Sequence, residues 1–404
     1  MTTAPPTRED VVAVLESVID PELGSDIVSL GMVPAVAVSA TGVVDVTVKL
    51  TIGGCPLRAD IKREIESRVG VHPGVSDVRI TWGEMTPDER TDVMLKARWN
   101  ARQQAGDTRV PATTRVLAIA SGKGGVGKSS VTVNLAVALA RRGRTVGVLD
   151  ADIWGFSVPR LLGISDRMEA ERIDGSERPL IMPNEMAVGD GLLKVVSTGF
   201  LVEEDTALMW RGLMLTKAVE QFLRDVHWGE LDDLLIDMPP GTGDVQMGLA
   251  RLLPRADMII VTTPALAAQK VAQRAADMAR RSFVRVVGVV ENMTDFTCEH
   301  GTSVALFGVG GGAALADEIG VPLLGQVPIE AAVSAGGDAG RPVALDDRVG
   351  AAAAFRAIAD RLDVEVPAAA AGPDGPDMAG CSARLLAAVE VALGDATVAQ
   401  SSVS

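Results

Sequence analysis

Gly122-Lys123-Gly124-Gly125-Val126-Gly127-Lys128-Ser129 satisfies G-x-x-x-x-G-K-[ST], the spacing of a loop that cradles phosphates. The residues on either side supply what such a loop must join. Arg115-Val116-Leu117-Ala118-Ile119-Ala120 is a short apolar run suited to a buried parallel strand. After the loop, Val131, Leu135, Ala138 and Leu139 recur at helical spacing, and Gly143 stands where a helix C-cap belongs. The glycines let the backbone bend tightly, so that several N–H groups and the positive helix end converge on anionic oxygens. Lys128 is placed to reach the β- and γ-phosphates, and Ser129 to help hold Mg²⁺. The plainer alternative is a glycine-rich turn that only connects a strand to a helix.

The whole chain sets limits around this motif. At 404 residues it is long enough for two or three domains. Aromatics are only 3% and Tyr is absent, so the core must rest on Val, Leu, Ala and Ile. A net charge of −15 matches poorly with phosphate backbones or anionic lipid, which argues against nucleic-acid or membrane partners. Residues 1–10 show no basic region followed by an apolar run, so no signal peptide is expected. No run reaches the length of a transmembrane helix. Three cysteines (Cys55, Cys298, Cys381) are too few for a disulfide framework, which points to a cytoplasmic location.

Residues 1–85 read as a small α/β domain. It has a helix over 8–19 that stops at Asp20-Pro21, strands at 33–38 and 43–50, a helix over 57–69 behind Cys55-Pro56, and a last strand at 75–81. Residues 86–114 are charged and read as a linker. From 115 to 362 apolar strands alternate with helical stretches, the pattern of an α/β fold with a mostly parallel, doubly wound sheet. The strand candidates are 116–120, 145–150, 193–196, 233–237, 258–262, 284–290 and 322–326, with 166–190 a surface excursion. Residues 363–404 read as a flexible tail with one possible short helix at 381–393.

Phosphoryl transfer needs phosphates, Mg²⁺ and a water held in line. Leu234-Leu235-Ile236-Asp237 ends in a carboxylate suited to supporting Mg²⁺, and the glycine-bearing loop 238–244 follows it. Leu149-Asp150-Ala151-Asp152 supplies two more carboxylates. One of them would serve metal and the other water. Taken singly, each Asp is as well read as a strand-end cap.

Lys123 and Lys128 together resemble the "deviant" phosphate loop of the MinD/ParA/Mrp class of dimerising P-loop ATPases. Residues 149–159, Met209-Trp210-Arg211-Gly212, 237–244 and Glu291-Asn292-Met293 most resemble the Mrp/ApbC iron–sulfur cluster carriers. Asp20-Pro21-Glu22 and residues 51–56 resemble the iron–sulfur-assembly domain often fused to them. The resemblance implies a P-loop NTPase fold and a homodimer that hydrolyses ATP slowly and delivers an iron–sulfur cluster, of the 4Fe-4S kind, to apoprotein clients. It implies that Lys123 crosses the dimer to the partner's nucleotide, that Asp150 and Asp237 support Mg²⁺, that Asp152 orients the attacking water, and that Asn292 contacts adenine. Lys128, Asp152 and Lys123 would then be the catalytic set, with 122–129 and Asn292 binding ATP.

The family bears Cys-x-x-Cys after the Asn-Met stretch; here it is Cys298-Glu299-His300-Gly301, with glycine in the second place. A shared cluster wants four good ligands, and two Cys298 thiolates fill half of that set. His300 could complete it, since imidazole replaces thiolate on iron elsewhere. A turn would bring Cys298 and His300 together. Cys55, at a helix start, is open to a reactive or a packing role, and Cys381 reads as incidental. Two other readings stand beside the carrier. One is a MinD/ParA-like spatial organiser, and the other an assembly scaffold whose own cluster site has lapsed.

Overall fold

The computed structural model describes residues 4–366 apart from 21–22, 52–57, 87, 91, 94–95, 98–99, 101–106, 153–154, 174–175, 177, 201–211, 242–247, 250–251, 283 and 348. Cys55, the stretch 209–211, residues 242–244 of the loop 238–244 and the tail from 367 with Cys381 therefore lie outside the described residues.

The first helix, α1 (Arg8–Leu15), opens with a capping box. Thr7 Oγ1 accepts the Asp10 N–H at 3.1 Å, and the Asp10 carboxylate accepts the Thr7 N–H at 2.9 Å. It ends four residues short of the expected 8–19. The Ser17 hydroxyl donates to the Val14 carbonyl at 2.6 Å, and the chain then turns so that Ile19 bridges Asp26. Strands β1 (Ala35–Val38) and β2 (Val43–Leu50) pair antiparallel. β2 pairs parallel with β3 (Asp77–Glu84), reached through helix α2 (Arg58–Val69). Val44, Val46, Val48 and Leu50 alternate inward on β2 and meet Ile61, Ile65 and Val69, which are spaced one helical turn apart on α2. Val93 and Ala97, from the stretch read as linker, are buried in this core as well, four residues apart on one helical face. At the far end of that stretch Val110 is buried in another core, and the Arg109 N–H donates to the Leu223 carbonyl.

The larger sheet follows with β4 (Arg115–Ala120), helix α3 (Lys128–Ala140), β5 (Thr145–Asp150) and the short helix α4 (Val158–Leu162). Next come β6 (Ala170–Glu171), β7 (Leu180–Ile181), β8 (Asn184–Val188) and β9 (Gly191–Ser197), then α5 (Gly212–Asp225) and β10 (Asp233–Asp237). The chain continues through β11 (Asp257–Thr262), α6 (Leu266–Arg281), β12 (Arg285–Thr297), β13 (Ser303–Val304) and α7 (Gly311–Ile319). It ends in β14 (Leu323–Ile329), α8 (Ala331–Asp338) and α9 (Ala351–Glu365). Among the described residues the sheet order is β14-β12-β11-β4-β10-β5-β9-β8, with β13 on the far end of β12. All neighbours are parallel except β8 and β13.

Every residue of β4, β10 and β11 is buried, because helices cover both faces. On β4, Leu117 and Ile119 enter one core with α3 and α9, while Val116, Ala118 and Ala120 enter the other with α5, α6 and α7. Helix α3 is buried nearly all round, beyond the single apolar face its spacing suggests. Two further differences bear on the site. β12 runs to Thr297, well past the expected 284–290, and folds back as a hairpin with β13. Within the expected excursion 166–190, β8 closes one edge of the sheet antiparallel to β9.

Candidate functional site

β4, β10 and β5 lie side by side and in parallel, so their last residues share one rim of the sheet, where ligands of such folds bind. Residues 122–127 leave the end of β4 and turn into α3. Gly125 and Gly127 both sit at φ +80°, a left-handed conformation that favours glycine. Gly127 is the helix N-cap, so the first N–H groups of α3 face outward from the loop. A Cβ on Gly124 or Gly125 would meet nothing within 4 Å, which leaves the mouth of the cup open. Gly122 is glycine for another reason: a Cβ there would press on the backbone of Val271 and Ala272 in α6.

Beneath the cup sits Asp237, fully buried at the end of β10. Its Oδ1 accepts from Lys128 Nζ at 2.5 Å and from the Thr132 hydroxyl at 3.0 Å, and its Oδ2 from the Ser129 hydroxyl at 2.5 Å. Lys128 is itself buried, so this is an ion pair sealed from water. Asp150 is the register neighbour of Asp237 on β5 and is equally buried. Its carboxylate accepts the N–H groups of Asp152 (3.1 Å), Ser157 (3.2 Å) and Val158 (3.3 Å) and the Ser197 hydroxyl (3.2 Å). Burial and the adjacent Asp237 push the Asp150 carboxyl up to about 7, against the pull of Lys128 and the loop N–H groups. Two carboxylates and a serine hydroxyl are hard oxygen donors, which suit a small hydrated divalent cation such as Mg²⁺.

The strand ends at Asp150. Asp152 sits in the following loop, half-buried, with its own N–H turned back on Asp150. Lys123 is exposed, and its carbonyl accepts the Ser121 hydroxyl. Asn292, on β12, donates its side-chain amide to the Val126 carbonyl at 2.9 Å and packs against Gly127. It thereby braces the phosphate loop from the neighbouring layer. Glu291 beside it is buried and caps α7, accepting the Gly312 N–H at 2.7 Å and the Gln326 amide. Met293 carries φ +61°, alone among the described non-glycine residues.

Cys298 begins the turn that joins β12 to β13. Its N–H donates to the Thr302 carbonyl, and its carbonyl accepts the Gly301 N–H at 2.9 Å. The thiol receives the backbone N–H groups of His300 and Thr302 and a contact from the Thr302 hydroxyl, which together hold its pKa below the ordinary thiol value. The chain therefore takes a turn here, and His300 addresses Cys298 through its backbone N–H. Gly301 adopts φ +79°. No group of three or more His, Cys, Asp or Glu side chains that could hold a metal occurs among the described residues.

Sequence reasoning missed Thr132, Glu291 and Ser197. Thr132 had a signal, standing one turn beyond Lys128 on α3. Ser197 becomes meaningful only once β9 is known to lie beside β5.

Residues 112–363 match the family model described as NUBPL iron-transfer P-loop NTPase, of the ParA group, and residues 8–82 match one described as iron–sulfur cluster assembly protein. The iron–sulfur cluster carrier protein of Mycobacterium tuberculosis is 44% identical over 338 residues, covering 82% of this chain and 86% of that one. The protein of the same name from Synechocystis is 41% identical over 367 residues, covering 90% and 99%. A nucleotide-binding protein from Archaeoglobus fulgidus, solved in complex with ADP, is 33% identical; the match covers 60% of this chain and 91% of that one at a TM-score of 0.49. With both units matched and the carrier proteins aligned along most of its length, the chain belongs to the family of iron–sulfur cluster carriers built on a ParA-type P-loop NTPase.

Proposed function

We propose that the protein is a homodimeric cytoplasmic carrier that binds an iron–sulfur cluster, of the 4Fe-4S kind, and passes it to apoproteins, with slow ATP hydrolysis setting the state of the dimer. The nucleotide half of this reading is supported by the convergence of Lys128, Ser129, Asp237 and Asp150 at one rim of the sheet beneath an open glycine cup. Asp237, Ser129 and Asp150 would hold Mg²⁺, which would supply neutralisation of phosphate charge there. Lys128 would exchange Asp237 for the β- and γ-phosphates. Asp152 orients the attacking water. Lys123, exposed at the lip, reaches the partner's nucleotide. Asn292 steadies the loop through Val126 and turns its free carbonyl edge to the adenine.

The observation that carries the cargo half is Cys298, a half-exposed thiol at a hairpin turn whose surrounding N–H donors favour its thiolate. Thiolate is the form that binds iron. Two copies would present two such ligands across a two-fold axis, and His300 or an external thiol would complete the set. The test is anaerobic reconstitution with iron and sulfide, followed by transfer to an apo-ferredoxin. Cluster binding lost in Cys298→Ala supports the reading, and absence of any cluster in the unaltered protein overturns it.

One observation favours a second reading. Gly301 holds the place of the family's second cysteine in a left-handed conformation, and no metal-holding group surrounds it among the described residues. An assembly scaffold working through protein contacts would leave client maturation unchanged in Cys298→Ala.

A further inference from the structure

Asp237, Asp150 and Ser197 stand in one row, the last residues of three adjacent parallel strands, each the register partner of the next. The role of Asp237 is plain from its contact with Lys128. Ser197 has so far appeared only as one donor to Asp150, yet it is fully buried and its hydroxyl is used twice. It donates to Asp150 Oδ2 at 3.2 Å and accepts the Gly199 N–H at 3.0 Å. The other donors to Asp150 among the described residues are backbone N–H groups from the loop that follows it. Ser197 thus ties this carboxylate to a different segment, the 3₁₀ turn Thr198–Phe200.

The turn returns to the same loop by a second route. A Cβ on Gly199 would fall 2.4 Å from Cδ2 of Phe156, so the phenyl ring lies directly on the glycine. Phe156 immediately precedes Ser157 and Val158, whose N–H groups hold Asp150. The contacts therefore close a circuit from Asp150 to Ser197, Gly199, Phe156, Ser157 and back to Asp150. Phe156, Gly199 and Phe200 also line a cleft of about 440 Å³.

We propose that Ser197 is a positioning residue for the reaction: its hydroxyl sets the orientation of Asp150 toward the hydrated magnesium ion and couples that orientation to the 198–200 turn. This rests on the assignment of Asp150 to magnesium made above. The backbone donors reach both oxygens, Asp152 at Oδ1 and Ser157 and Val158 at Oδ2, yet all three come from the loop that follows β5, so a carboxylate held by them alone is free to shift with that loop. The hydroxyl removes that freedom on the side away from Asp237. It acts on magnesium and leaves the contact between the loop and the phosphates untouched.

The experiment is a magnesium titration of ATP hydrolysis at saturating ATP, using the full chain, with ATP binding in EDTA measured by calorimetry as the companion. Ser197→Ala raises the half-saturating magnesium concentration about tenfold, in line with loss of one hydrogen bond to a charged group, while magnesium-free ATP binding stays as in the unaltered protein. Ser197→Thr, which keeps the hydroxyl, restores the lower magnesium requirement. Gly199→Ala pushes Phe156 and, through Ser157 and Val158, shifts the magnesium requirement in the same direction; it carries the test if Ser197→Ala does not fold. A purely structural role would lower the melting temperature and leave the magnesium midpoint in place. An unchanged midpoint in Ser197→Ala, or in Gly199→Ala where it stands in for it, overturns the proposal. If the unaltered protein shows no magnesium-dependent ATP binding at all, the nucleotide reading fails first and this inference falls with it.

Discussion

At the scale of single residues, the charges beneath the cup pair with one another. Asp237 takes both Lys128 and Ser129, the two groups the motif reserves for phosphate and metal. Removing the lysine should cost twice. Lys128→Ala is expected to lower hydrolysis at least about a hundredfold, because the lysine's charge meets the shifting phosphate charge. It should also lower the melting temperature of the nucleotide-free protein, since a buried carboxylate left without its cation costs about 3–5 kcal/mol. Asp150 adds a pH dependence whose sign can be worked out. Its carboxyl rises from 3.8 to about 7 on folding, so the folded chain holds a proton that the unfolded chain releases. That contribution is complete below pH 3.8 and is lost as pH rises through about 7. The nucleotide-free protein should therefore lose thermal stability between about pH 4 and 7, and Asp150→Asn should flatten this slope; scanning calorimetry across that range decides it. Cys298 shifts the other way, because its thiol is surrounded by N–H donors. Site-resolved alkylation with iodoacetamide should reach its half-maximal rate at a lower pH for Cys298 than for a free thiol.

At the scale of elements, what could be read from the sequence was whatever lies within one strand or one turn. The loop 122–129, its flanking β4 and α3, and the terminal Asp237 and Asp150 all announce themselves by apolar runs that stop at a polar residue. What stayed hidden depends on which strands are neighbours. Ser197 gains its meaning from β5 pairing with β9, and Asn292 from β12 bringing it against Val126. The polar end of β12, Glu291 to Thr297, carries no apolar run, so its continuation into a hairpin with β13 had no local signal. The same hairpin gives the cysteine turn its shape. A Cβ on Gly301 would meet nothing within 4 Å, so the space for a side chain is open and only the left-handed backbone, at φ +79°, resists one. Gly301→Cys should thus cost about 1–2 kcal/mol in stability while placing a second thiol on the turn. Under the carrier reading the variant retains its cluster longer than the unaltered protein when challenged with an iron chelator, followed by absorbance. A cluster lost at the same rate in both would place the remaining ligands elsewhere.

At the scale of the whole molecule, the balance of charge sets how two copies can meet. Each chain carries a net charge of −15, so two copies repel one another before any specific contact forms. Against that field Lys123 is an exposed cation at the lip of the nucleotide cup, on a loop whose fold depends on its carbonyl rather than its side chain. Two consequences separate its role from that of Lys128. Lys123→Ala should leave the melting temperature of the nucleotide-free protein unchanged, because an exposed lysine with no buried partner adds almost nothing to stability. Under the proposed dimer the same substitution should weaken ATP-dependent pairing, since it removes a positive charge from the face that this reading brings to the partner's triphosphate. Salt then distinguishes the two electrostatic contributions. Screening relieves the general repulsion between acidic chains, so pairing should strengthen as ionic strength rises from about 0.05 to 0.2 M. It weakens the specific attraction of Lys123 far less, because a lysine pressed against phosphate is largely shielded from solvent ions. Sedimentation velocity with a non-hydrolysable ATP analogue should accordingly show the dimer fraction rising with salt in both proteins, with Lys123→Ala below the unaltered chain at every salt concentration. If the two curves coincide, Lys123 does not cross the interface; if both fall with salt, pairing depends on attraction between exposed charges of opposite sign.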